Sequence, residues 1–76
     1  HIESVAFEQL PVQLRERPLS EIMNWKKSGV NCIGIKDAGG KFLINPPEDT
    51  LVQSGMKVMV LGSRQQIREM VKNLNG

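Results

Sequence analysis

His1 is the only histidine of the chain and Cys32 its only cysteine. With the histidine at the terminus, no Ser–His or Cys–His nucleophile pair can be assembled. Cys32 falls within an apolar run and reads as a buried, structural thiol rather than a reactive one. One cysteine also excludes an intrachain disulfide and a multi-cysteine zinc site. The carboxylates Glu3, Glu8, Glu16, Glu21, Glu48, Asp49 and Glu69 fall mostly at solvated positions. Glu48 and Asp49 are adjacent in a loop, but an oxygen cage for a hard cation needs more than two such groups. The string Ala38-Gly39-Gly40-Lys41 lacks the spacing of a phosphate-binding loop and does not open a helix. GxGxxG is absent, so the chain is not itself a dinucleotide-binding fold. No catalytic constellation remains, and we expect no enzyme, no metal site and no catalytic residue.

Seventy-six residues allow one domain, and a domain that small buries only about 60% of its unfolded surface. Burial against a second copy is therefore expected from size alone. Ten Lys and Arg against eight Asp and Glu give +2. The basic residues are scattered, so neither a nucleic-acid partner nor a polybasic membrane anchor is expected. No apolar stretch approaches the roughly 20 residues that span a bilayer, and no signal-peptide pattern is present. A single cysteine suits a reducing, cytoplasmic setting. The first residue is His1, not Met, which reads as the mark of a domain excised from a larger protein.

The elements follow from periodicity and punctuation. Residues 3–9 read as a strand with Val5 and Phe7 on one face, stopped by Pro11. Residues 12–17 read as a polar link. Pro18 opens a helix with Leu19, Ile22 and Met23 on one face. Gly29 ends it, with Lys26 and Lys27 in the last turn. Trp25 lies off that stripe, either as a half-exposed ring on a neighbouring loop or as an interface anchor. Val30–Lys36 reads as a strand in which Gly34 leaves room for another backbone or a ligand. Asp37–Gly40 is a hairpin turn, and Lys41–Asn45 the return strand. Pro46-Pro47 ends it, and Leu51 is expected to plug the core from the loop 48–55. Met56–Leu61 is the most apolar run, expected to be buried on much of both faces. Ser63 and Gln66 form a capping box before a stripe of Ile67, Met70, Val71 and Leu74.

The fold expected is a small α+β domain, βαβββα, mainly antiparallel, with two helices on one face. Two short helices cover one face only. The strand 56–61 and the run Cys32–Ile35 therefore call for a second copy, with a ligand crevice between copies.

The segments Pro18-Leu19-Ser20-Glu21-Ile22 and Gly29–Lys36, followed by Asn45–Leu51 and Ser54–Gly62, resemble the two halves of the RCK C-terminal (TrkA-C) domain. The likeness runs from about Val5 to Leu74. It implies that residues 1–76 form one cytoplasmic regulatory domain of a potassium channel or potassium transporter at the inner face of the cell membrane. It further implies a homodimer, an RCK N-terminal domain and a pore or transporter subunit as partners, and gating by effector-dependent rearrangement of the dimer. The effector itself is unknown; a nucleotide, cyclic di-AMP and a divalent cation are the candidates. The rival reading is a purely structural oligomerisation module of an ion transporter. Carried over residue by residue, the family's ligand contacts fall on Ile33, Gly34, Ile35, Lys36, Asn45 and Pro46. Lys36 stands where the family often has Arg, and Met56 where it usually has Asp. A lysine meets a phosphate as a point charge, without the bidentate fork of arginine.

Overall fold

The computed structural model describes residues 1–27 and 29–75. Four strands, β1 (Ile2–Ala6), β2 (Asn31–Lys36), β3 (Phe42–Ile44) and β4 (Lys57–Leu61), make one sheet in the order β1-β4-β2-β3. Every pairing is antiparallel. The helices are α1 (Leu19–Met23) and α2 (Arg64–Asn75).

Alternation along β4 decides where the core lies. Val58 and Val60 are fully buried, whereas Lys57 and Leu61 are exposed and Met59 is half-buried. Val5 and Ile35 flank Val58 in register and share its face. Both helices close over that face. Ile22 and Met23 meet Val58, Val60, Met70 and Leu74 around a gap of about 10 Å³, too small to weaken the packing. The expected βαβββα order and the helix-covered face are both observed. The expected capping box is also present: Ser63 Oγ accepts from Gln66 N–H at 3.1 Å, and Gln66 Oε1 from Ser63 N–H at 2.9 Å.

Several boundaries differ. β1 stops at Ala6 rather than residue 9, because the Gln9 side chain accepts from Ala6 N–H at 2.8 Å and turns the chain into a 3-10 turn, Phe7–Gln9. The link 12–17 is not merely polar. Its 3-10 turn Val12–Leu14 buries Leu14, and Leu10 just before it is also in the core. Arg15 holds this corner, donating to the carbonyls of Leu10 and Glu8 and lying 5.6 Å from the Phe7 ring centre.

The first helix is only five residues long. Its opening N–H groups are satisfied by loop carbonyls, Leu19 N–H by Thr50 at 2.8 Å and Ser20 N–H by Glu48 at 3.0 Å. After Asn24 a 3-10 turn follows, with Lys26 at φ 51. The Lys27 side chain, expected to favour the helix end, lies outside the described residues. Leu51 does not plug the core. It is 45% exposed in a bridge to Pro18, and its neighbour Val52 fills the core at 0%. Trp25 packs on α2 rather than on a loop, its indole N–H donating to the Asn73 carbonyl at 3.3 Å.

Candidate functional site

The far face of the sheet has no helix over it. Register sets its rows. Ala6, Lys57, Lys36 and Phe42 form one row across all four strands, and Ser4, Met59, Gly34 and Ile44 the next. Ile2 and Leu61 extend the face toward the chain start. Ile2, Leu61, Phe42 and Ile44 are 60%, 43%, 44% and 64% exposed. β4 is therefore fully buried on one face only, and among the described residues nothing supplies the cover expected for its other face.

The six residues carried over as ligand contacts divide between the two faces of β2 and the segment that follows β3. Ile33 is the extra residue of a bulge, because pairing with β4 jumps from Cys32↔Val60 to Gly34↔Met59. Gly34 does face a neighbour at close range, but that neighbour is the Phe42 ring. A Cβ added at Gly34 would overlap Phe42 and sit 3.0 Å from the Leu43 carbonyl oxygen. Ile35 is 2% exposed on the helix-covered face, so its side chain belongs to the core. Lys36 is exposed on the far face, opposite Phe42. Asn45 lies three residues further along, with its N–H 3.5 Å from the Ile33 carbonyl and φ at 51. At about 3.3 Å per residue, that separates Lys36 from Asn45 by about 10 Å along the strands.

Two clefts result. One, of about 360 Å³, is lined by Ser20, Asn24, Asn31, Cys32, Asn45 and Pro46 among others, with Glu48 its only charged group. It offers hydroxyl and amide groups and no cation. The other, of about 340 Å³, lies at the hairpin end between Lys36, Lys57, Asp37 and Gly55. Asp37 Oδ1 is engaged by Lys41 N–H at 2.8 Å, which shapes the turn. A third, open groove of about 510 Å³ runs beside α1 past Leu14 and Trp25. Arg17 and Glu21 form an exposed bidentate pair there, at 2.7 and 2.8 Å. That hydrogen bonding holds the Glu21 carboxyl below, and the Arg17 guanidinium above, their ordinary values. Cys32 is half-buried, and burial pushes its thiol up; its S–H also donates to the Gly34 carbonyl at 3.5 Å. A raised thiol is a poor nucleophile. Among the described residues no group of three or more His, Cys, Asp or Glu could hold a metal.

Lys57 was not foreseen. In sequence it only interrupts an apolar run, and its cross-strand partner depends on a β2–β4 pairing that local patterns do not specify.

The chain is thus a small antiparallel sheet with two helices on one face and exposed apolar residues on the other. The chain belongs to the TrkA-C domain family, whose model matches residues 13–75. TrkA-C is a family of regulatory ligand-binding domains, not of catalysts. No curated protein sequence matches significantly. Among solved structures, the GsuK channel bound to NAD superposes with a TM-score of 0.77 at 18% identity, covering 96% of this chain and 13% of that one. The RCK_C domain dimer of S. agalactiae BusR in complex with c-di-AMP gives 0.75 at 16%, covering 97% and 95%. The KtrA RCK C domain in complex with c-di-AMP gives 0.75 at 19%, covering 95% and 80%. At such identities the likeness is one of fold. This chain spans about an eighth of the GsuK channel chain. Among the described residues no helix is long and apolar enough to cross a membrane.

Proposed function

We propose that residues 1–76 are one effector-sensing domain of a larger potassium channel or transporter protein, and that it works as a homodimer through the bare face of its sheet. The observation that carries this reading is that face: Ile2, Leu61, Phe42 and Ile44 exposed around Met59. A contiguous apolar patch of this kind marks an association surface. The BusR relative, similar over nearly its whole chain, is a dimer with c-di-AMP bound, which supports a second copy as the occupant. A nucleotide or cyclic di-AMP held where two such faces meet would favour one dimer arrangement. It can move a gate only by the difference in its affinity for the two arrangements. An RCK N-terminal domain and a pore or transporter subunit at the inner membrane face complete the proposal.

The test pairs sedimentation with thermal shift. At micromolar concentration the mass should be twice that of the monomer. Cyclic di-AMP, NAD or a divalent cation should raise the melting temperature, by an amount that follows from ligand excess over the dissociation constant. A monomer at about 100 µM sinks the dimer. A dimer that no effector stabilises favours the rival, a purely structural oligomerisation module, which the same apolar face supports.

A further inference from the structure

Lys36 and Lys57 are direct cross-strand partners. Both are exposed, and both lie on the face opposite the core, as the burial of Val58 and Ile35 requires. Side chains in such pairs leave the sheet about 5 Å apart, and like charges placed so repel. Their row supplies no relief, since its remaining members are Ala6 and Phe42. Among the described residues the ion pair found is Arg17–Glu21, remote in sequence from both lysines. Asp37 is the one carboxylate lining the hairpin cleft, and its Oδ1 serves the Lys41 N–H. Ala38, Gly39, Gly40 and Gly55 form the rest of the wall. A Cβ at Gly40 would meet nothing within 4 Å, so the turn stands open. The cleft is wide enough for a phosphate group and part of what it is attached to.

We infer that Lys57, together with Lys36, forms a two-ammonium cradle for the phosphate of an anionic effector, at the hairpin end of the bare sheet face. The inference rests on the proposed effector-sensing function and adds to it a residue, Lys57, and the place where the phosphate is held. The repulsion is then a built-in reporter. It destabilises the empty cradle, and a bound dianion relieves it. The cleft at Asn45, whose one charged group is Glu48, is a separate place, with no cation to hold a phosphate.

The experiment titrates the wild type, Lys36→Gln, Lys57→Gln and Lys57→Arg with pyrophosphate, AMP, adenosine and cyclic di-AMP. Binding is followed by calorimetry, mass by sedimentation and folding by circular dichroism. Both lysines are exposed, so the variants should fold. Pyrophosphate and AMP should bind the wild type while adenosine does not. Each Gln variant should lose about tenfold or more in affinity, as removal of a charge-assisted hydrogen bond implies. Lys57→Arg should retain most of it. Without ligand and at low salt, Lys57→Gln should melt above the wild type. That gain should vanish near 1 M salt, where charges are screened within about 3 Å. If Lys36→Gln weakens binding and Lys57→Gln does not, the cradle is wrong while the effector reading stands. Binding of cyclic di-AMP that neither variant alters overturns the cradle in the same way. If the wild type binds none of the four, cradle and phosphate effector fall together.

Discussion

Gly34, Cys32 and the pair Leu51–Val52 show how single residues divide between packing and chemistry. Gly34 lies under the Phe42 ring, so Gly34→Ala should cost about 1–3 kcal/mol through overpacking. Combining it with Phe42→Leu should recover part of that loss, measured by urea unfolding. Equal losses in the single and double variants would mean that the ring is not the obstacle. Val52→Ala should cost about 2 kcal/mol, because Val52 is wholly enclosed, whereas Leu51→Ala should cost markedly less. The reverse ranking would place the loop one residue out of step. For Cys32, burial raises the thiol in the folded state and so favours the protonated form there. The folded protein therefore binds more protons than the unfolded chain once pH passes the ordinary thiol value. The stability this contributes is present below that value and is lost as pH rises toward the folded one. Relative to Cys32→Ala, the wild type should lose stability over that alkaline window. Parallel pH profiles would contradict it.

At the scale of elements, α2 illustrates a helix whose start is written locally. Ser63→Ala removes the side-chain acceptor of the capping box and should cost about 1 kcal/mol in thermal unfolding. α1 is different, because its N–H groups rely on Glu48 and Thr50 carbonyls across the chain. The sequence pattern predicts a helix that runs on to Gly29, whereas α1 ends at Met23. Trp25, off the stripe of Leu19, Ile22 and Met23, is held by the Asn73 carbonyl of α2. That contact takes the chain through Lys26 at positive φ and out of the helix. The β1 end was misjudged on the same grounds, since the Gln9 side chain competes with the ladder for Ala6 N–H.

For the whole molecule, the bare sheet face sets the outcome. Ile44→Asp and Leu61→Asp place a charge on exposed positions, so each should leave the circular dichroism spectrum unchanged and shift sedimentation toward monomer. Val60→Asp, by contrast, buries an unpaired carboxylate at a cost of several kcal/mol and should unfold the domain. A folded Val60→Asp protein would mean that β4 turns its other face to the helices.

The amino-acid sequence by itself determined the order of strands and helices, the hairpin at Asp37–Gly40, the cap at Ser63 and the stripe Ile67, Met70, Val71 and Leu74, of which Val71 is half-buried. Each depends on residues within a turn or two of one another, so local sterics and hydrogen bonding decide it. It also carried the family likeness, because the spacing of Pro, Gly and apolar residues records that same local order. What only the tertiary structure decided was which residues meet. The β2–β4 register, with its bulge at Ile33, sets Lys36 beside Lys57 and about 10 Å along the strands from Asn45. Cross-strand partners are far apart in sequence, and a shift of one residue exchanges the two faces of a strand. No local pattern could therefore have separated the cleft of the two lysines from the cleft of Asn45 and Glu48, or shown that Ile35 belongs to the core and Lys57 to the open face.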